Sequence, residues 1–185
     1  GQNLPPFSLW PLLHAVATGQ RASLALAALP GQALRVEVAG MTAWQEAAGQ
    51  GRAWIAARIP HAGAMCLLDE VVEASPEAIA CLCRSHRDLA NPLRRAGRLG
   101  AACGVEIASQ AMALHGALAG HGRSAAGMLV SLRALDLKVP RLDLVEGDIR
   151  VSARREADTG AQSLYGFELH AGAEPLLGQA GGVGR

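Results

Sequence analysis

One stretch of the chain constrains its fold more than any other. Residues 100–120 (GAACGVEIASQAMALHGALAG) are almost wholly apolar, and Glu106 is their only carboxylate. Their length and composition predict one long buried helix. A helix that is apolar on every side must be covered on every side. The rest of the chain, or a second subunit, therefore has to surround it.

Glu106 is the residue of this helix whose burial has to be explained. An ionised carboxylate is costly to bury without a partner, and burial favours its protonated form. Ala102, Cys103 and Ser109 lie at helical spacing from it and offer no positive charge. Such a group is a candidate general acid. The alternative is a carboxylate that is satisfied by Gln110 at i+4 and by backbone groups, and the spacing leaves both interpretations open.

The segments on either side of the helix have the pattern of strands. A helical stretch near residues 41–48 comes first, and turn residues then separate short apolar or alternating runs. The predicted strands cover residues 65–72, 78–84, 128–140, 148–156, 163–169 and 174–183. This order predicts an α+β fold, in which an antiparallel sheet wraps around a central helix. One curved sheet cannot cover such a helix completely, so we expect at least a dimer.

The chain is long enough for one such domain and an appendage. With 185 residues, half of them hydrophobic, it can build one sizeable core but hardly two. Residues 1–40 predict a short helix at residues 8–19 and two strands joined by a turn at Pro30-Gly31, which are too few elements to be stable alone. This N-terminal extension resembles the tail of a ketoacyl-synthase-like domain. The main domain is assigned to residues 41–185.

Charge and cysteine content argue against several kinds of function. The formal charge of +1 gives no general reason to bind nucleic acid or a membrane surface. The four cysteines form no pair of C-x-x-C motifs, so a zinc site is not expected, and Cys81 and Cys83 are interpreted as small core residues of one strand. Free thiols suit a reducing cytoplasm. The apolar run at residues 9–17 is too short for a membrane span and lacks the basic flank of a signal peptide, so we expect a cytoplasmic protein.

Several short motifs resemble those of a known family. Each is weak alone, whereas their order and spacing around one helix are specific. The motifs are Ile59-Pro60-His61-Ala62-Gly63-Ala64-Met65-Cys66-Leu67-Leu68-Asp69, Asn91-Pro92-Leu93, Gly104-Val105-Glu106 with Ser109-Gln110-Ala111, Lys138-Val139-Pro140 and Glu146-Gly147-Asp148. Between about residues 52 and 183 the chain therefore resembles the hot-dog-fold 3-hydroxyacyl-acyl-carrier-protein dehydratases. The nearest branch is the ApeP-like one, which is associated with aryl polyene assembly.

The resemblance implies elimination of water from a β-hydroxyacyl thioester in fatty-acid or polyene biosynthesis. The substrate is carried on the phosphopantetheine arm of an acyl carrier protein, and no metal or other cofactor is implied. In this family a histidine takes the α-proton, and a carboxylate on the central helix acts on the departing hydroxyl across a dimer interface. By motif position Glu106 is the carboxylate. Backbone N–H groups near Ala101 and Ala102 hold the thioester oxygen, and Gln110 contributes to substrate binding.

The histidine is where this chain departs from the family pattern. Typical members carry it in a G-H-F-P loop before the helix, but the matching residues 91–100 contain no histidine and lack the family's proline before the helix. His61, in the first motif, is interpreted as a structural residue bonded to backbone, as a replacement base for Glu106, or as a metal ligand. In another interpretation the site is divided, and a second hot-dog subunit supplies the histidine. Whether the pair is a homodimer or a heterodimer stays open, and His86 and His170 are interpreted as solvated.

Five arginines cluster just before the helix, at positions 84, 87, 94, 95 and 98. Because acyl carrier proteins present acidic helices, Arg94, Arg95 and Arg98 are predicted to dock the carrier. A solvated loop is the alternative. Two other functions also stay open. One is a hot-dog acyl thioesterase, which can use a single helix carboxylate, and the other is a non-catalytic subunit that stabilises an active dehydratase partner.

Overall fold

The computed structural model describes residues 23–27, 35–39, 42–120, 131–132, 134–159 and 162–179. The chain divides into two compact units, Gly1–Thr42 and Ala43–Arg185. In the first unit, β1 (Ser23–Ala27) pairs antiparallel with β2 (Arg35–Ala39). The predicted helix at residues 8–19 and the turn at Pro30-Gly31 lie outside the described residues. The assignment of residues 1–40 to a separate extension stays a prediction.

The second unit is an antiparallel sheet with one long helix. Its elements are α1 (Ala43–Ala47), α2 (Arg52–Ala56), β3 (Glu70–Ala74), β4 (Ala78–Cys83), α3 (Gly104–Ala119), β5 (Leu135–Leu137), β6 (Ile149–Asp158), β7 (Ser163–Ala171) and β8 (Glu174–Gln179). The six strands lie in the order β3-β4-β6-β7-β8-β5, and every neighbouring pair is antiparallel. The predicted α+β architecture is confirmed.

One face of α3 packs on the sheet and forms the core. Ile107, Ala111 and Leu114 are fully buried, and they belong to one cluster with apolar residues of all the long strands. Gly104, the first residue of α3, lies so close to β8 that a Cβ atom there would stand 2.2 Å from Leu177 Cδ2. Glycine at this position therefore allows the start of the helix to approach the sheet.

The opposite face of α3 is only partly covered by the described residues. Val105, Ser109, Met112 and Ala113 are partly exposed and Gly116 is exposed, whereas their helical neighbours are buried. These residues recur every three or four positions and form one stripe. A largely apolar stripe of this kind is what the expectation of a second subunit requires, although the dimer itself stays a prediction.

Two predicted strands are shorter than expected. The strand predicted for residues 65–72 begins only at Glu70, because Gly63–Met65 form a 3₁₀ turn and the side chain of Gln110 bonds the backbone that follows. Of residues 128–140, the described part contains only the three-residue strand β5. Pro140 cannot donate to a strand ladder, and its carbonyl accepts the N–H of Ala101 instead.

The cysteines of β4 behave as expected for core residues. Cys81 and Cys83 are fully buried, and both thiols are free. Burial raises the pKa of Cys81 to about 12, so it is an inert thiol at neutral pH.

Within the described ranges, no helix has the length and apolar character that crossing a membrane would require.

Candidate active site

His61 and Glu106 of the same chain meet at one end of α3. The Nε2 atom of His61 lies 3.1 Å from Oε1 of Glu106, and both side chains are partly exposed, at 28% and 35%. A general base and acid must lie within about 2.6–3.2 Å of the atoms they exchange protons with. The structure therefore joins the carboxylate of the helix to a histidine of the first motif.

The loop that carries His61 is anchored at both ends. Ile59 is buried before it, and Cys66, Leu67 and Leu68 are buried after it. Between these anchors Gly63 has a φ of +57°, a left-handed conformation that glycine adopts without strain. The buried residues fix the path of the loop, while its exposed middle leaves His61 at the edge of the site.

Gln110 connects this loop to Glu106. Its side chain is fully buried. Oε1 accepts the N–H of Leu67 at 2.8 Å, and Nε2 donates to the carbonyl of Met65 at 2.8 Å and to Glu106 Oε1 at 3.1 Å. Both N–H donors are used within the chain, and the role of Gln110 in substrate binding stays a prediction. Gln110 is a positioning residue, which holds the loop and one oxygen of Glu106 at once.

The carboxylate of Glu106 is divided between two environments. Oε1 faces both His61 and Gln110, whereas no hydrogen bond from a described residue reaches Oε2. The expectation of a deeply buried carboxylate is corrected, because the side chain lies beside the uncovered stripe of α3. The contact with Gln110 that the second interpretation expected is present, and the role of Glu106 as a general acid stays a prediction.

The structural interpretation of His61 is not what the contacts show. Neither ring nitrogen bonds a backbone group among the described residues, and Nδ1 is buried without a hydrogen-bond partner there. Histidine, cysteine and carboxylate side chains also form no group of three that could hold a metal within the described ranges. The contact with Glu106 favours the interpretation as a base.

At the start of α3, one of the two predicted oxyanion donors is already used. The N–H of Ala101 donates to the carbonyl of Pro140 at 3.1 Å. The N–H of Ala101 thus belongs to the backbone framework, and the substrate contact assigned to Ala101 stays a prediction. Ala102 is exposed beside it, and its role as donor stays a prediction.

The segment before α3 lacks the family's proline but is held in place by hydrogen bonds. Leu142 N–H donates to Leu99 O at 2.8 Å, and Leu99 N–H donates to Asp143 Oδ1 at 2.8 Å. Gly100 has a φ of −65°, the value that proline imposes. The guanidinium of Arg141 and the N–H of Leu99 hold the pKa of Asp143 well below its usual range. Sequence reasoning missed Asp143, and the available signal was a carboxylate three residues after Pro140.

Comparison with known proteins now identifies the family. The sequence model of the ApeP-like family, described as ApeP dehydratase, matches residues 53–179. The chain belongs to the ApeP-like dehydratase family. Among solved structures, a chain of the dehydratase heterocomplex ApeI:P from Xenorhabdus doucetiae has a TM-score of 0.59 and 21% identity, over 67% of this chain and 85% of that chain. The comparison with curated proteins finds no match.

These findings confirm two predictions. The ApeP-like resemblance is confirmed by the family match, and the hot-dog fold is confirmed by the structural likeness together with the antiparallel sheet and long helix. Dehydratase-type function follows at the level of the family.

In this ApeP-like chain, the loop that lacks the expected histidine is organised by an arginine. The guanidinium of Arg94 donates to the carbonyls of His86, Asp88 and Gly97 at 2.8, 2.8 and 2.6 Å, and its side chain is only 9% exposed. Asn91, also buried, bonds Ser85 O at 2.9 Å. Arg94 therefore holds the loop together, while its role in docking the carrier stays a prediction. Arg95 and Arg98 are exposed, and their role stays a prediction.

Two other histidines of this family member are buried in the fold. His86 lies within 3.2 Å of Val145 O, and its burial lowers its pKa, so the expectation of a solvated residue is wrong. His115 contacts Ser75 O at 3.0 Å and Tyr165 Oη at 2.8 Å. Because a carbonyl only accepts, Nε2 carries the proton, and Nδ1 of the neutral ring accepts from Tyr165. His170 lies on β7, 3.2 Å from Glu168.

Proposed function

We propose that this chain is a 3-hydroxyacyl-acyl-carrier-protein dehydratase, or the subunit of one, that eliminates water from a β-hydroxyacyl thioester. The observation that carries the proposal is the 3.1 Å contact between His61 Nε2 and Glu106 Oε1. Elimination requires a base for the proton on one carbon and an acid for the hydroxyl on the next carbon. A histidine and a carboxylate this close together fit two reacting groups on adjacent carbons.

In the proposed reaction, neutral His61 accepts the α-proton while protonated Glu106 gives its proton to the β-hydroxyl. The Cα–H and Cβ–O bonds break, the carbon–carbon double bond forms, and water leaves. The imidazolium and carboxylate that remain are close enough for the proton to return directly, which restores the starting state. Oε2 of Glu106, which no described residue bonds, is the oxygen left for the substrate hydroxyl. The Ala102 N–H at the start of α3 is the donor we assign to the thioester oxygen.

We also propose that a second hot-dog subunit covers the uncovered stripe of α3. The stripe is continuous with Glu106, so the partner would form the other wall of the substrate channel. The solved structure with a similar fold is, by its title, a heterocomplex, which supports pairing with a different subunit. An acyl carrier protein would deliver the substrate, in fatty-acid or aryl polyene biosynthesis, in the cytoplasm.

The proposal is tested by incubating the protein, alone and with its hot-dog partner, with a 3-hydroxyacyl thioester. Enoyl absorbance without release of free thiol is the expected result, and release of thiol would indicate the thioesterase instead. His61→Ala and Glu106→Gln should each lower kcat by at least a hundredfold, which is the usual contribution of a general acid or base. Full activity of His61→Ala in the presence of the partner would mean that the partner subunit supplies the base.

A mixing experiment separates a site within one chain from a site shared between copies. If acid and base came from different copies, mixed dimers of His61→Ala and Glu106→Gln would recover part of the activity. We expect no recovery, because both groups belong to one chain in this structure.

A second candidate function is favoured by the heterocomplex likeness. In it the chain is a non-catalytic subunit that stabilises an active partner. The variant Glu106→Gln distinguishes the two candidate functions. A complex that contains this variant would keep full activity only if the chain is a non-catalytic scaffold.

A further inference from the structure

The loop before α3 ends in a tight turn that holds two arginines side by side. Arg95 and Arg98 exchange both backbone hydrogen bonds, at 2.9 and 3.0 Å, and they form an antiparallel bridge. Ala96 and Gly97 between them have φ values of 48° and 72°. Positive φ at both central residues is the signature of a type I′ turn. In such a bonded pair the two side chains lie on the same face, with Cα atoms about 5.5 Å apart.

This arrangement is unfavourable by itself. Like charges directly opposite each other destabilise a strand pair, and alanine is strained in the left-handed conformation that asparagine or glycine usually fills. Strained residues persist where the surrounding structure imposes them, and they concentrate at functional sites. Here the structure that imposes the turn is the buried guanidinium of Arg94, which bonds the carbonyl of Gly97.

The five arginines of this region divide into neutralised and free groups. Arg84 and Arg87 both bind Asp148, at 2.7 and 2.9 Å, and Arg94 lies 3.9 Å from Asp143. Arg95 and Arg98 are exposed, and in the part of the chain that the structure describes no carboxylate pairs with either of them. The turn therefore presents two adjacent charges to an external partner.

An apolar side chain is exposed in the same loop. Leu89 is 86% exposed, and the backbone around it is fixed because Ala90 N–H donates to Asp88 Oδ1 at 2.8 Å and Arg94 Nε donates to Asp88 O at 2.8 Å. A large apolar side chain that is held in solvent on a fixed backbone, together with free arginines, has the character of an interface rather than of a free surface.

We propose that Leu89, Arg95 and Arg98 form the docking surface for an acidic protein that carries the acyl thioester. The inference rests on the proposed function and specifies its partner surface. Charge complementarity selects an acidic partner, and Leu89 supplies the apolar contact. Only Leu99 and Gly100 separate Arg98 from the 3₁₀ turn that leads into α3, so a carrier docked there lies beside the start of the helix on which Glu106 sits.

The test compares two variants that change the net charge equally. Arg95→Gln/Arg98→Gln removes two positive charges, and Arg154→Glu makes the same change at an exposed position of β6. Binding of a loaded acyl carrier protein to the full chain, with its hot-dog partner present, is measured by titration calorimetry at several salt concentrations. We expect the first variant to weaken binding at least tenfold and to flatten its salt dependence, while Arg154→Glu changes affinity less than twofold. Leu89→Ser should also weaken binding, with the salt dependence unchanged.

Equal affinities of the two charge variants, or no binding of the carrier by the unaltered protein, would overturn the inference. Turnover of a short thioester that lacks the carrier is measured in parallel. It should be unchanged in Arg95→Gln/Arg98→Gln, and a loss there would mean that the turn supports the site instead of docking. No turnover of the short thioester by the unaltered protein would count against the proposed function, separately from the docking result.

Discussion

Gln110→Leu keeps the approximate volume of the side chain but removes three hydrogen bonds. The Leu67 N–H and the Met65 carbonyl are left without the amide that satisfied them, and Glu106 loses one of its two contacts. Each buried polar group left unpaired costs about 1–3 kcal/mol. Because two backbone groups are affected and the side chain is fully buried, we expect the free energy of unfolding to fall by about 2–6 kcal/mol.

The same variant should lower activity for a positional reason. Residues 65–67 continue the loop that carries His61, so loss of their bonds to α3 frees the base to move away from Glu106. We expect kcat to fall more than KM changes, and a misplacement of about 1 Å can cost a hundredfold in rate. Urea unfolding followed by circular dichroism gives the stability, and enoyl formation gives the rate.

Ser109→Ala is the matched control, because Ser109 lies next to Gln110, is partly exposed, and among the described residues its side chain bonds only Val105 O of its own helix. It should change stability by no more than about 0.5 kcal/mol. The reasoning is refuted if Gln110→Leu is as stable and as active as Ser109→Ala.

Three further predictions concern stability. Gly100→Pro should raise the free energy of unfolding by about 0.4–1 kcal/mol, because φ is already −65° and no atom lies within 4 Å of the added Cβ; an unchanged urea midpoint would contradict this. Gly104→Ala should lower the free energy of unfolding by about 1–3 kcal/mol, because the added Cβ clashes with Leu177. A urea midpoint equal to that of the unaltered protein would contradict this and would show that β8 shifts to make room. Burial lowers the pKa of His115 below its ordinary 6.5. The unfolded chain therefore binds the proton more readily than the folded chain, and the free energy of unfolding should fall as the pH drops below 6.5. NMR titration of the imidazole gives the pKa, and urea unfolding at pH 7 and pH 5 gives the change in stability.

Periodicity predicted the regular elements well because their physical causes are local. The apolar length of residues 100–120 forces a helix that must be covered, and alternation in β6 and β7 places Val151 and Leu169 on the buried face. The loop at residues 65–69 is predicted as the start of a strand because most of its residues are apolar. Its backbone instead bonds the side chain of Gln110, a residue of α3 that lies more than forty positions away, and no local pattern reports such a contact.

The site was predicted in part for the same reason. Glu106 could be identified as the exceptional charge in its helix, and His61 could be named as one of several alternatives. Their contact depends on how the loop crosses the helix, which the sequence does not state. Arg94, Arg95 and Arg98 are grouped because they are close in sequence, but the side chain of Arg94 is only 9% exposed, whereas the type I′ turn that follows holds Arg95 and Arg98 in solvent.

In the proposed dehydratase, the position of His61 and Glu106 on one chain has a consequence for how the complex with a partner subunit can evolve. Two reacting groups that are encoded by one gene are inherited together, and a change in the loop of His61 can be balanced by a change in α3 without any alteration elsewhere. A partner subunit is then constrained by the surface it must match rather than by a reacting group it must supply. The partner is thereby free to diverge in sequence, and with it the shape of the channel that it lines.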